Sequence, residues 1–295
     1  MAAGPLSRIP LAAASVADDL TYVALADISR LLHDQTTDYR IIGGLMVTAL
    51  AARWDLGASL YRETLDADLG VPPIAARDLD IAGRLKAAGY QQVAGDRFER
   101  PVSEVPAGIP GGESSAHRAA IDVLVPAYTS RPRHNVRVGT ELVTTEVPGL
   151  HIALARAPVE LALDLRRLNG DLLCVRLLFP DEVSALALKA FATSVRTKPT
   201  DIIDVWRCLE ICFAAGVKAE VFSRGATARA AAITRELFHR QGGPGMRALI
   251  DQQRLSKDAA DQRYTRIRAL IARLLPTKRS NVEFFSMTAL GRHAD

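Results

Sequence analysis

The chain has 295 residues, of which 48% are hydrophobic and 24% are charged. This is the composition of a folded globular protein, and it excludes a disordered or collagen-like chain. Charges interrupt every apolar run before it reaches membrane-spanning length, and three cysteines are too few for a disulfide framework. The N-terminal segment "MAAGPLSRIPLAAASVADDL" makes a poor signal peptide, so we expect a cytoplasmic protein with no membrane partner.

The charge is unevenly distributed along the chain. Residues 181–295 hold 19 Lys and Arg against 12 Asp and Glu, a balance of +7, which leaves −3 for residues 1–180 because the whole chain carries +4. A basic second part would suit a nucleic-acid partner. Arginine is also a good helix former on solvated faces, and charge alone favours that simpler explanation.

The first part of the chain alternates helix-type and strand-type patterns. Its predicted elements are, in chain order, helix 17–34, strand 39–42, helix 45–54, strand 65–71, helix 74–88, strand 91–102, a Gly/Pro/Ser-rich loop at 103–117, strand 119–126, and a hairpin of 159–167 with 171–178. The hairpin turns at Asn169-Gly170, the strongest short hairpin signal.

The pattern changes after Pro180. The segments "DEVSALALKAFATS" and "DIIDVWRCLEICFAA" both have helical spacing, and Ala- and Arg-rich helices follow them. The fold class predicted is therefore α+β, with a mixed-sheet domain over residues 1–180 and an all-helical domain over residues 181–295.

The segment "RETLDADLGV" carries two acids one residue apart. On a strand, alternate residues share a face, which places Arg62, Thr64, Asp66 and Asp68 together. A half-solvated edge strand would alternate in the same way. However, Asp is depleted in strands, and neighbouring carboxylates on one face repel each other unless a cation lies between them. The pair therefore predicts a Mg²⁺ site at Asp66 and Asp68.

Two further features support a metal–phosphate site. Gly43-Gly44 lies between a strand and a helix, where a phosphate can approach the backbone and the helix N-terminus. Such a pair is often only a turn. Asp122 interrupts the apolar run "AAIDVLVP" and would be costly to bury without a partner. If its strand lies beside the acid pair, three carboxylates converge; otherwise Asp122 is a single structural residue bound to a loop.

Lys189 lies within the apolar segment "ALALKAFA". Its ammonium either reaches water along its stem or pairs with Asp204 or with a nucleotide phosphate. Asp201 and Asp204, at the start of the next helix, are equally explained as acids that favour the helix dipole, and that is the default for Asp201.

Gly43-Gly44, Asp66-x-Asp68 and Asp122 together resemble the nucleotidyltransferase fold of the polymerase-β superfamily. R-x-T-x-D-x-D at Arg62–Asp68 more narrowly resembles the AbiEii/MenT-like nucleotidyltransferase toxins of bacterial toxin–antitoxin systems. "LALKAFATSVRTKPTDIIDVW" resembles the C-terminal signature of that group, which has a lysine in an apolar helix, a basic stretch and an acid-rich helix start. Lys189 matches the lysine, Arg196 and Lys198 match the basic stretch, and Asp201 and Asp204 match the acids. Ala67 departs from the usual larger aliphatic residue, and Thr200 from the common arginine.

The resemblance implies an Mg²⁺-dependent transfer of a nucleoside monophosphate from an NTP to RNA, most plausibly a tRNA 3′ end, which would inhibit translation and be controlled by a cognate antitoxin. The catalytic residues that it implies are Asp66, Asp68, Asp122, Lys189 and Asp204, and the metal ligands among them are Asp66, Asp68 and Asp122. The residues that it implies for substrate binding are Gly43, Gly44, Arg62, Thr64, Arg196 and Lys198. The arginines of the last helices are candidates for binding the RNA backbone. A nucleotidyltransferase acting on a small molecule such as an aminoglycoside is the alternative.

Overall fold

The computed structural model describes residues 8–33, 38–56, 60–103, 117–129, 131–196 and 198–275. The loop predicted at 103–117 lies outside these ranges except for its two ends. The described strands are β1 Arg8–Ala12, β2 Arg40–Ile42, β3 Ala67–Gly70, β4 Gln91–Ala94, β5 Arg97–Pro101, β6 Arg118–Pro126, β7 Val136–Val138, β8 Leu142–Val147, β9 Val159–Arg166 and β10 Leu172–Phe179. The α-helices are α1 Val16–Leu32, α2 Gly43–Arg53, α3 Pro73–Asp78, α4 Ile81–Ala87, α5 Leu150–Ala155, α6 Glu182–Val195, α7 Pro199–Ala214, α8 Gly225–Leu237, α9 Pro244–Gln253 and α10 Lys257–Leu274.

The strands form two mixed sheets, so the predicted α+β class is confirmed. The larger sheet has the order β2-β3-β6-β5-β4, and β8, which carries β7, pairs with the C-terminal end of β6. Within it, β3 and β8 run parallel to β6, whereas β5 runs antiparallel. The smaller sheet has the order β1-β9-β10. The long strand β6 is therefore the centre of the larger sheet.

The apolar run in β6 reflects its central position. Ala119, Ile121 and Val123 are fully buried, as expected for a strand that has neighbours on both edges and is covered on both faces. Helix α1 packs against both β6 and β10 and so joins the two sheets. Asp122 is the one acid in this strand, and it lies where the larger sheet meets the pocket described below.

The structure divides two of the predicted elements. The helix predicted over 74–88 is two helices, because Asp80 has a left-handed backbone with φ +48° and caps α4 by accepting a hydrogen bond from the N–H of Gly83. The strand predicted over 91–102 is the β4–β5 hairpin, which turns near Gly95 at φ +46°. Strand β3 begins two residues later than predicted, and β1 and α5 were not predicted at all.

Between Phe179 and Leu275, the described residues form helices and no strand. Helices α6 and α7 pack against each other and against α2, which follows the Gly43-Gly44 corner. The helices are therefore packed beside the edge of the larger sheet where the predicted site residues lie. No helix in the described part of the chain is long and apolar enough to cross a membrane.

A buried ion pair joins α1 to the β9–β10 hairpin. Arg167 Nη2 donates to Asp19 Oδ2 over 2.8 Å, and the N–H of Leu168 donates to Asp19 Oδ1 over 2.9 Å. Asp19 is fully buried and Arg167 is 5% exposed. A charge at this depth is stable only while it keeps its partner.

Asp19→Ala is therefore expected to lower the free energy of unfolding by about 3–5 kcal/mol, because it removes the fully buried carboxylate from its ion pair with the buried Arg167. The measurement is urea denaturation followed by circular dichroism. Asp171→Ala is the matched control, since Asp171 is exposed and lies 4.0 Å from the same guanidinium; it should cost about 1 kcal/mol or less. If the two variants lost the same free energy of unfolding, the Asp19–Arg167 pair would not make the stabilising contribution assigned to it.

Candidate functional site

The two acids of the predicted metal-binding strand lie at the start of β3. Asp66 immediately precedes the paired residues, and Asp68 is the second residue of the strand. The alternation of side-chain exposure predicted for a strand extends through residues 61–66, which precede β3 and are not paired with another strand. The odd-numbered residues from 61 to 65 are exposed, whereas the even-numbered residues from 62 to 68 are buried or half-buried. The segment therefore turns its four predicted site residues away from bulk solvent.

Strand register places a third carboxylate beside this pair. Asp68 of β3 lies opposite Asp122 of β6, and Asp122 lies opposite Arg97 of β5. Residues directly opposite each other in neighbouring strands have side chains on one face of the sheet. Of the two alternatives left open for Asp122, the structure therefore has the one in which its strand lies beside the acid pair. We call Asp66, Asp68 and Asp122 the carboxylate cluster.

The carboxylates of the cluster repel one another in a partly desolvated position. Burial, together with the charges of Asp66 and Asp122, raises the pKa of Asp68 well above its usual range. Burial and the charge of Asp66 raise the pKa of Asp122 to about 6. Because like charges disfavour ionisation of their neighbours, the cluster has a free-energy cost that a bound cation would relieve.

Arg97 supplies positive charge to this cluster, and sequence analysis missed it. Its Nη1 lies 3.2 Å from Asp66 Oδ2 and 3.3 Å from both carboxylate oxygens of Asp122. Its Nε donates to Glu99 Oε1 over 2.8 Å. The only sequence signal was a basic residue in a strand-type segment, and the register that brings it to Asp122 cannot be read from local pattern.

The two glycines allow other site residues to approach closely. Gly43 has φ +74°, and any side chain there would collide with the carboxylate of Asp68. A Cβ at Gly44 would meet the guanidinium of Arg62 and would lie 2.9 Å from Thr64 Oγ1. Thr64 is 5% exposed, and its hydroxyl has no hydrogen-bond partner among the described residues. A buried hydroxyl and a guanidinium therefore face the start of α2.

Lys189 of α6 is buried and paired. Its Nζ lies 2.8 Å from Asp204 Oδ2 and 3.6 Å from Asp201 Oδ1, and the residue is 5% exposed. Of the two fates considered for this lysine, pairing with Asp204 is the one observed. Asp201 also accepts from Arg196 Nε over 2.7 Å, so the basic stretch after α6 is tied to the start of α7.

Asp204 is the centre of a wider ionic network. Besides Lys189, it binds Arg62 Nη2 at 3.0 Å and Arg207 Nη1 at 2.8 Å. Burial acts to raise the pKa of Asp204, but the three cations outweigh that effect and hold the pKa below its usual range. Asp204 is fully buried, and its contacts in this structure are with Lys189, Arg62 and Arg207.

A pocket of about 190 Å³ lies between the larger sheet and α6. It brings together predicted site residues from both parts of the chain, namely Gly43, Asp68, Asp122, Lys189 and Arg196, along with Asp201. It is also lined by Asp96, His134 and Glu146, which sequence analysis did not select. Lys198 is exposed at the start of α7 and is not among the lining residues.

Part of the arginine excess in the last helices serves packing. The Arg263 guanidinium lies 3.9 Å from the ring centre of Trp206, and the Arg266 guanidinium lies 4.7 Å from that of Phe213. Arg266 also binds Glu210 at 2.7 Å. These contacts join α10 to α7, so the basic composition of this region is partly explained without a nucleic-acid partner.

The carboxylate cluster fits Mg²⁺ by its chemistry, since the ion binds one or two carboxylates together with phosphate oxygens. In the side-chain arrangement of the described residues, no group of three or more His, Cys, Asp or Glu could hold a metal ion. The guanidinium of Arg97 takes the place between Asp66 and Asp122. These residues therefore fit the metal if Arg97 moves and the carboxylates turn.

No protein-family model matches this chain, and no curated protein matches it.

Asp204→Asn is expected to lower the free energy of unfolding by about 3–5 kcal/mol, because it removes the charge that three buried or half-buried cations share. Thermal and urea unfolding provide the measurement. Glu210→Gln, on the same helix, breaks the Arg266 ion pair, which is more exposed, and should cost about 1 kcal/mol or less. If the two variants were equally stable, Asp204 would not be the anchor of the pocket wall.

Proposed function

We propose that this chain is an Mg²⁺-dependent nucleotidyltransferase of the polymerase-β type that transfers a nucleoside monophosphate from an NTP to RNA. The observation that carries the proposal is the pairing of Asp68 with Asp122 across β3 and β6, beside Asp66. This pairing faces the glycine corner and the start of α2, and Lys189 lines the same pocket. Clustered acids for a metal and cationic groups for phosphates are what phosphoryl-type transfer requires.

The groups for the triphosphate lie on the α2 side of the pocket and on α6. The N–H groups at the start of α2 are available to phosphate oxygens through Gly43 and Gly44. Arg62 lies against Gly44, as does the hydroxyl of Thr64, which has no hydrogen-bond partner in the described part of the chain. Lys189 and Arg196 line the same pocket, and Lys189 shares Asp204 Oδ2 with Arg62. Lys189 and Arg196 would neutralise charge that builds up on the phosphates in the transition state.

The carboxylate cluster would hold Mg²⁺, which when bound neutralises the triphosphate and favours in-line displacement at the α-phosphorus. The acceptor hydroxyl oxygen forms the new bond to the α-phosphorus as the bond from that phosphorus to the bridging oxygen breaks. Pyrophosphate leaves, and Asp122 takes the hydroxyl proton. Asp122 suits that role because it lines the pocket and is only partly exposed.

The acceptor in this proposal is the 3′ end of a tRNA, so that transfer blocks translation in the cytoplasm and a cognate antitoxin restrains the enzyme. Residues 1–180 would form the catalytic domain and residues 181–295 a helical domain that contributes Lys189 and Arg196. Arginines of this helical part that are not engaged in packing would contact the RNA backbone, and such binding should weaken as the salt concentration rises.

Incubation with each labelled NTP, total tRNA and Mg²⁺ is expected to label RNA with one nucleotide or a few. Asp68→Asn and Asp122→Asn should each reduce labelling by at least about 100-fold, because each removes a charge that the metal and its phosphates require. The measurement is label in gel-resolved RNA, with chelation of Mg²⁺ as a further arm.

Asp78→Asn is the matched control, since Asp78 is exposed and its ion pair is with the exposed Arg77; it should label RNA as the unaltered protein does. No labelling from any NTP, or full labelling by Asp122→Asn, would refute the proposal. Asp96 in the pocket lining favours, as a second candidate, a cationic small-molecule acceptor. Labelling of an aminoglycoside but not of RNA would select that reaction.

A further inference from the structure

The position of Arg97 in the sheet has a consequence for metal binding. The guanidinium lies in the row Asp68–Asp122–Arg97 across three neighbouring strands. One nitrogen, Nη1, contacts Asp66 and both oxygens of Asp122 within 3.3 Å. A cation that bound the same oxygens of Asp66 and Asp122 would take the position of this nitrogen.

The contacts of Arg97 with the two acids are mutually stabilising. The guanidinium of an arginine stays protonated in proteins, and the bond to Glu99 and the contacts to Asp66 and Asp122 hold this one beside the cluster. Half-buried ion pairs of this kind are screened by salt much less than exposed ones. The guanidinium therefore competes with any divalent cation for the same carboxylate oxygens.

Glu99 gives Arg97 an alternative position nearby. Arg97 Nε donates to Glu99 Oε1 over 2.8 Å, while Nη1 makes the contacts to the cluster. Rotation of the side chain can release Nη1 from Asp66 and Asp122 while Glu99 keeps the guanidinium at β5. A guanidinium freed in this way can donate to phosphate oxygens.

We propose that Arg97 is the resident cation of the carboxylate cluster and must leave Asp66 and Asp122 before a divalent metal binds there. Arg97 thereby sets the metal concentration at which the site loads and opposes loading by metal alone. The inference rests on the metal site of the proposed function, and it adds a regulatory residue to that site.

The test is Mn²⁺ binding by electron paramagnetic resonance in the absence of nucleotide and RNA. Removing the competing charge in Arg97→Gln is expected to tighten Mn²⁺ binding by about tenfold or more, since a unit charge in contact with the carboxylates is worth at least that much. Arg97→Met, which keeps the length of the stem, replaces the first variant if Arg97→Gln does not fold.

Two controls separate this effect from general electrostatics. Arg118→Gln removes the same charge from the adjoining strand, where Arg118 lies 3.9 Å from Glu99, and should change Mn²⁺ affinity by about twofold or less. Adding Asp122→Asn to Arg97→Gln should abolish the gain. Unchanged or weaker Mn²⁺ binding in both Arg97 variants would overturn the proposal, as would an equal gain in Arg118→Gln or a gain that survives Asp122→Asn.

The result is distinguishable from failure of the proposed function. Mn²⁺ binding that tightens in the Arg97 variants, with no transfer of label from any NTP, would support the competition by Arg97 and reject the transferase reaction. If label were transferred from an NTP only when the carboxylate cluster is intact, and Mn²⁺ affinity did not change in the Arg97 variants, the transferase reaction would be supported and competition by Arg97 rejected.

Discussion

The fully buried carboxylate of Asp204 is the interaction on which the pocket depends. It holds Lys189 from α6, Arg62 from the segment before β3, and Arg207 of its own helix. Arg207 in turn donates to Thr48 of α2 over 3.0 Å. Because a charge at this depth must keep its partners, one acid fixes the helices against the sheet. The phosphate-binding side chains proposed above derive their positions from it.

The carboxylate cluster has excess negative charge, whereas the Asp204 network has excess positive charge. Neighbouring strands place Asp68 and Asp122 opposite each other, and Asp66 adds a third carboxylate. Like charges so arranged destabilise the folded chain unless a cation is shared among them. Arg97 meets that requirement in the arrangement described. A site that binds a metal and its triphosphate must therefore exchange one cation for another.

Several features of the site followed from local pattern. The strand–glycine–helix corner, the acid-containing strand at 119–126 and the helices on either side of Pro199 are short-range features, and the structure has all of them. Pairing with Asp204 was one of the alternatives left open for Lys189, and only the folded structure selects it over exposure of the ammonium to water. Arg97 could not be found from local pattern, because its role depends on the β5–β6 register. The strand β1 was missed because it is held by parallel pairing with β9, more than 150 residues along the chain.

Local pattern was sufficient to predict the α+β class, the alternation that places Arg62, Thr64, Asp66 and Asp68 on one face, and the residue types suited to a metal and phosphates. These properties depend on periodicity and on side-chain chemistry, which a linear chain already contains. The burial of Asp204 among three cations and the position of Arg97 between Asp66 and Asp122 are evident only once the chain is folded. Both outcomes depend on strand register and on helix packing, which bring together residues that are distant in the chain and bury them to a depth that no local pattern specifies.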